Sequence, residues 1–207
     1  MTAMATRQRG RPRSFDREKA LHEATMAFWE HGYEATSIAD LTRVMGIGAP
    51  SLYAAFGDKK ALFGEVVESY AGRYGDFGRR ALAEEGTARA AIGRLLGEAA
   101  VEYTDPEHPR GCLMISAAAN CTAADVRAAL RERREAGLAA FESRIGADVA
   151  SGALPPGTDA RTLARYAGAV LQGMSQQARD GASADELAKV VEVAMRAWPD
   201  RPAGRGA

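Results

Sequence analysis

Two cysteines in 207 residues are too few for a disulfide framework, and a reducing cytoplasm is the expected compartment. Long apolar runs are missing as well: none approaches the roughly 20 residues a bilayer helix needs, so no membrane partner is expected. The first residues carry arginines but neither an apolar core nor a small-residue cleavage site, and do not read as a secretory signal. Histidine is scarce (His22, His31 and His108), and Asp105, Glu107, His108 and Cys112 follow no recognised ligand spacing, so no metal is expected. Neither a P-loop nor a dinucleotide-binding glycine pattern occurs, and no cofactor is expected. No orienting carboxylate or oxyanion element announces itself beside Cys112 and His108, which argues against a thiol hydrolase.

Net charge is absent too, because 27 Lys and Arg balance 27 Asp and Glu. The balance is uneven along the chain. Residues 1–13 hold Arg7, Arg9, Arg11 and Arg13 and no acid, and residues 1–60 carry nine Lys and Arg against seven Asp and Glu. A basic arm on a neutral protein points to a local polyanion contact; a solvated tail is the bland alternative.

What is present is helical periodicity nearly throughout. Ala20, Leu21, Ala24, Ala27 and Phe28 fall on one face of a first helix, with Asp16 as N-cap and Gly32 as stop. Thr36 and Ser37 open a second helix with Ile38, Leu41 and Met45 inward and Gly46 at its end. Gly48, Ala49 and Pro50 open a third, with Leu52 and Phe56 inward, and a fourth follows Gly57-Asp58 with Leu62, Phe63, Val66, Val67 and Tyr70 as its stripe. Further on, a helix holding Ile92, Leu95, Leu96, Ala99 and Tyr103 ends in the 104–111 stretch, and another starts near Cys112. Thr122 to Asp125 fits a capping box at the head of a long helix reaching about Ala150. Two last helices, at about 159–179 and 184–198, repeat one wide apolar stripe. It runs through Leu163, Tyr166, Ala167, Val170, Leu171 and Met174, then Leu187, Val190, Val191, Ala194, Met195 and Trp198. The stripes suit a four-helix homodimer interface, or else burial inside one subunit.

The expected architecture is therefore all-α. A flexible basic arm (1–13) precedes a three-helix helix-turn-helix (14–58), a helical bundle (59–198) that suits dimerisation and a flexible tail (199–207). Short helices at 17–31, 37–45 and 49–55 would let the second brace across DNA while the third offers its N-terminal residues to base edges. The run Arg11-Pro12-Arg13-Ser14-Phe15-Asp16, with Thr36 to Leu41, Met45-Gly46-Ile47, Ser51-Leu52-Tyr53, Phe56 to Lys59 and Leu62-Phe63, resembles the DNA-binding domain of the TetR family of repressors. The resemblance spans about a quarter of the chain.

It implies a ligand-responsive transcriptional repressor that binds double-stranded operator DNA as a homodimer, and not an enzyme. It places Ser51 and Tyr53 on phosphate and base edges, the hydroxyl of Thr36 or Ser37 on phosphate, and Lys59 on phosphate. Gly48 and Ala49 stand where the family often reads bases, yet they offer no polar side chain. Ala54 and Ala55 follow Tyr53 where a larger residue or His is frequent, and Thr42 replaces a usual Ala. Readout is then expected to lean on DNA shape and on Arg9, Arg11 and Arg13 in the minor groove.

For the bundle, the resemblance implies a cavity for an unknown small-molecule effector. Candidates by residue type are Tyr74, Phe77, Tyr103, Met114, Phe141, Tyr166 and Gln172. Cys112, placed by His108-Pro109-Arg110-Gly111 at a helix start, is a candidate thiol sensor because cations and helix N-termini lower a thiol pKa; a small core residue is the alternative. Its Gly-Cys-Leu context resembles a subset of the family. On a single helix Cys121 would stand on the opposite face, about 13 Å along the axis. A thiol enzyme, a small-molecule carrier, or an activator or architectural protein with the same reading head remain the competing functions.

Overall fold

The computed structural model describes residues 15–118 and 121–199. Among them the regular elements are ten helices: α1 (Arg17–Ala35), α2 (Ile38–Met45), α3 (Ala49–Phe56), α4 (Lys59–Arg73), α5 (Asp76–Glu84), α6 (Ala88–Glu102), α7 (Leu113–Ser116), α8 (Ala124–Ala150), α9 (Ala160–Arg179) and α10 (Ala184–Arg196). Arg9, Arg11 and Arg13, with the rest of the 1–13 arm, and residues 200–207 lie outside the described residues.

The local signals act where the sequence puts them. Asp16 accepts the Lys19 N–H at 3.0 Å and starts α1. Gly32 (φ 79°, ψ 170°) breaks that helix without ending it, because one further turn runs on to Ala35. Ser37 and Asp40 form a reciprocal capping box on α2, and Gly46 closes the helix in the left-handed region. Ser183 and Glu186 form a second box at the head of α10.

Three expectations need correction. The box expected from Thr122 to Asp125 is not formed: α8 has Ala123 as an uncapped N-cap, the Thr122 hydroxyl turns to Glu34, and Asp125 pairs with Lys60. Helix α5 went unforeseen because its apolar face is short, made only of Phe77, Ala81 and Leu82, of which Ala81 alone is fully buried. Cys112 and Cys121 do not share a helix, since α7 stops at Ser116; both are buried and free.

Head and bundle share one apolar core. Phe28, Trp29, Leu41, Leu52, Leu62 and Phe63 continue without interruption into Leu95, Leu96, Leu113, Leu130, Ile145 and Met174. Helix α4 carries the continuity, packing on α1 and α3 at one end and on α5 and α7 at the other. Arg144 and the buried Asp148 pair at 2.6 Å within α8, and Asp148 also accepts the Ala88 N–H at 2.6 Å, which ties the start of α6 to α8. The fit of α9 against α8 is close enough that a Cβ on Gly168 would collide with the Leu138 side chain.

Candidate DNA interface and effector pocket

The recognition helix is held from three sides. Leu52 and Phe56 are buried beneath it. Arg17 reaches across from α1, forms an ion pair with Glu65 of α4 at 2.7 Å, donates to Ala55 O and lies over the Phe56 ring at 4.4 Å. This bolt joins α1, α3 and α4. The α2–α3 turn closes through Gly46 and Ile47, whose N–H groups both return to Thr42 O.

The opposite face of α3 is free. Tyr53 is 50% exposed, and Pro50, Ser51 and Ala54 are exposed beside it, with Ala49 half-buried at the helix start. A buried-core role for Tyr53 is thereby ruled out within the subunit. Gly48 gives α3 no side-chain cap, so the Ala49 end presents bare backbone. Lys59 opens α4 with its ammonium 4.3 Å over the Tyr33 ring; burial lowers its pKa while Glu34 opposes that.

Thr36 is not available to a phosphate. It is 1% exposed, and its hydroxyl donates to Gly32 O at 2.7 Å, closing the kink of α1. Ser37 is exposed, but its hydroxyl is engaged with Asp40, whose carboxyl these contacts and Arg43 hold down at about 2. An ionised carboxylate therefore sits at the start of α2, where the resemblance implied a phosphate.

In the bundle, a cavity of about 440 Å³ opens between α4, α5, α6 and α8, with Cys112 and Met114 at its inner end. Phe77, Tyr103, Met114 and Phe141 line it, as expected. Gln172 lines a smaller adjoining cavity that shares the walls of Tyr103, Cys112 and Phe141. Two candidates fall elsewhere. Tyr74 belongs to an aromatic stack with Trp29, Tyr70 and His108, because the end of α4 folds over α1 there. Tyr166 lies on the outer side of α9, 37% exposed, donating to Ala194 O at 3.2 Å. Sequence reasoning misses Tyr70 and Arg134, which line the cavity, because helical periodicity places Tyr70 only on the α4 stripe.

The environment of Cys112 differs from the one expected. The cations that were to lower its pKa point away from it. Arg110 donates to Ala178 O and Ala182 O at the C-terminal end of α9, where a cation satisfies orphan carbonyls. His108 stacks on Trp29 at 4.3 Å, with Nε2 3.2 Å from Glu102. Burial dominates instead and pushes the thiol up. Hydrogen bonds from Tyr70, from the Ile115 and Met114 N–H groups and from Tyr103 only partly offset it. Burial likewise drives the Tyr70 and Tyr103 hydroxyls well above their ordinary value. The thiol is therefore protonated at neutral pH.

The cavity end is wired to the head. Cys112 N–H donates to the Ser175 hydroxyl at 2.9 Å, fixing the start of α7 to α9. Arg179 donates to Trp29 O, Glu30 O and Arg110 O at 3.3–3.5 Å, linking α9 to α1. Helix α7 itself leans on the Gly32 kink, where a Cβ would stand 4.0 Å from Ala117 and from Ser116 O. No His, Cys, Asp and Glu cluster that could hold a metal occurs among the described residues. No helix among them is long and apolar enough to cross a membrane.

Residues 20–66 match the family described as bacterial regulatory proteins of the tetR family, and residues 88–196 match the tetracyclin repressor-like C-terminal domain. The chain belongs to the TetR family. It is 36% identical over 205 residues to the HTH-type transcriptional repressor ComR of Escherichia coli, covering 96% of each chain. It is 28% identical over 199 residues to the repressor BdcR of the same organism, covering 95% of this chain and 96% of that one. Among solved structures, a triple-cysteine variant of the TetR-family regulator CifR, complexed with 26-base-pair double-strand operator DNA, superposes with a TM-score of 0.87 at 43% identity. That match covers 92% of this chain and all of the CifR chain. As a TetR-family member, the protein is a DNA-binding transcriptional regulator and not an enzyme, which removes the thiol-enzyme and carrier alternatives.

Proposed function

We propose that the protein is a repressor that binds a palindromic operator as a homodimer, one α3 per major-groove half-site, and is released by a small molecule or by modification of Cys112. The observation that carries this reading is a rigid helix-turn-helix whose α3 turns Ser51 and Tyr53 to solvent, in a chain 43% identical to a regulator complexed with operator DNA. Ser51 and Tyr53 serve as contacts to phosphate and neighbouring base edges. Ala49 lets the backbone approach closely, Lys59 swings from Tyr33 to a phosphate, and Arg9, Arg11 and Arg13 follow the minor groove. The functional division stays at 1–13 for the arm, 14–58 for the head, 59–198 for the bundle and 199–207 for the tail. The protein works in the cytoplasm.

Dimerisation uses α9 and α10. Support comes from Tyr166 and Val193, left 37% and 59% exposed on helices that bury their other face within the subunit. Release runs from the cavity through α7 to the α1 kink, and through Arg179 from α9 to the same helix. A filled cavity or an adduct on Cys112 moves α7 and so the spacing of the two heads. About 2.7 kcal/mol of such coupling weakens operator binding roughly a hundredfold.

The test is selection of bound duplexes from a random pool with reduced protein. Enrichment of one palindrome, with affinity falling steeply with salt, is the expected result. Folded, dimeric protein that enriches nothing would overturn the proposal. Cys112→Ser is expected to keep operator binding and lose any oxidant response; a variant that still responds removes the thiol from the mechanism.

A further inference from the structure

The walls of the main cavity carry charge of one sign. Arg79, Arg133 and Arg134 line it, and among the described residues no carboxylate does. Arg79 pairs with Asp76 at 2.8 Å and Arg133 pairs with Glu68. Arg134 has no acidic partner among the described residues; one of its N–H groups donates to Met114 O at 2.9 Å, and no other hydrogen bond of its guanidinium forms among them. It also lines a second groove on α8 together with Arg127 and Arg131, and that groove again lacks a carboxylate. Arg127 and Arg131 form no ion pair among the described residues either. A guanidinium at the edge of an apolar cavity is a fork of donors whose natural complement is a planar anion, held through two parallel hydrogen bonds. Phe77, Leu82, Leu95, Phe141 and Leu171 offer dispersion, and the remaining polar groups, the Tyr70 and Tyr103 hydroxyls and the Cys112 thiol, are engaged with one another and carry no charge to hold an anion.

We propose that the effector is an organic carboxylate: an apolar body fills the cavity and its anionic head is held by Arg134, drawn in by the field of Arg127 and Arg131. This rests on the effector-release reading above and adds the chemical class of the ligand. An arginine with its charge uncompensated beside an apolar wall discriminates strongly, since a neutral isostere leaves it unpaired and a cationic one is repelled.

The experiment titrates the full-length dimer by calorimetry with three probes of one chain length: decanoate, decanol and decylamine. Decanoate is expected to bind about tenfold or more tighter than decanol, the worth of one charge-assisted pair, and decylamine weakest. Arg134→Gln should erase the preference of decanoate over decanol while decanol binding persists, and Arg134→Lys should restore part of it. Because Arg134 also holds the Met114 carbonyl, circular dichroism and retained decanol binding establish that Arg134→Gln is folded. Equal binding of decanoate and decanol to the unaltered protein overturns the carboxylate while leaving the cavity reading intact. An undiminished preference in Arg134→Gln overturns the assignment to that residue. Failure of all three probes to bind overturns the cavity reading, and the carboxylate with it.

Discussion

Gly111 is where the loop between α6 and α7 comes closest to α9, and replacing it with alanine tests whether that joint is structural. Its φ of 80° lies in the left-handed region, which costs an L-residue roughly 1–2 kcal/mol. A Cβ there would stand 2.7 Å from Ser175 O, 2.9 Å from Ser175 Oγ and 3.0 Å from Arg179 Cγ. The arginine stem can swing aside, but the carbonyl belongs to the backbone of a packed helix and cannot. The loop must therefore lift from α9, and the buried bond from Cys112 N–H to Ser175 Oγ, 2.9 Å long, is the first to part. Leaving that N–H unpaired adds about 1–3 kcal/mol, for a combined destabilisation of about 2–5 kcal/mol. For a chain of this size each kcal/mol moves the melting temperature by about 2–4 °C, so Gly111→Ala should melt about 4–20 °C lower. The assay is thermal unfolding at fixed dimer concentration, because a concentration change alone shifts an oligomer's melting point. Gly97→Ala is the control: it lies inside α6 with nothing within 4 Å of a built Cβ, and alanine there should be neutral or slightly stabilising. A Gly111→Ala protein that melts within about 1 °C of the parent would refute the close approach as a source of stability.

Thr36→Val removes the hydroxyl bond to Gly32 O and is expected to cost about 1 kcal/mol of stability while operator affinity stays unchanged. Lost affinity at an unchanged melting temperature would return Thr36 to the DNA surface. Lys59→Ala should weaken operator binding and reduce the slope of log affinity against log salt by about one phosphate contact, measured by titration at several salt concentrations. An unchanged slope would place Lys59 permanently on Tyr33. The raised pKa of Cys112 should keep alkylation by iodoacetamide slow until the pH passes the ordinary thiol value of about 8.5. Tyr70→Phe should slow it further, because it removes a hydrogen bond that favours the thiolate. The same shift has a stability sign. With the folded pKa above the unfolded one, the contribution is complete below the unfolded value and is lost as pH rises toward the folded one. Cys112→Ala should therefore flatten part of the alkaline decline in melting temperature.

Local chemistry was legible in the sequence and three-dimensional company was not. Asp16, Ser37, Gly46 and the Ser183–Glu186 pair act within four residues of themselves, so residue type and spacing suffice to place them. The box expected at Thr122 failed because Glu34 and Lys60, distant in sequence, compete for its two polar members. Cys112 failed in the same way. Neighbours in sequence suggested a cationic setting, but Arg110 is drawn to the end of α9 and His108 to Trp29, while Tyr70 and Tyr103 arrive from other helices. Thr36 and Ser37 are adjacent and chemically alike, and only the kink at Gly32 decides that the first turns inward. Among the pocket candidates, aromatic type identified Phe77, Tyr103 and Phe141 but could not separate them from Tyr74 and Tyr166, whose helices turn those rings elsewhere.

The element on which the proposed release depends is the one least able to stand alone. Four residues are too few to form a helix on their own, so α7 exists by its contacts with α1, α4 and α9. Its first residue is Leu113, fully buried, and its N-cap is the cavity thiol, so cavity contents and helix position share one backbone unit. A ligand shifts this balance only through contacts that differ between the two positions of α7. Those contacts are at hand: Met114 faces the cavity while its carbonyl receives Arg134, and the Cys112 sulfur meets Tyr70 and Tyr103. Drawing Arg134 toward an anion or placing a group on sulfur acts directly on the bonds that hold α7, whereas an apolar molecule that fills the cavity acts on α7 only through packing. Release of DNA should therefore follow the head group of the effector more closely than its bulk, even where bulk supplies most of the affinity.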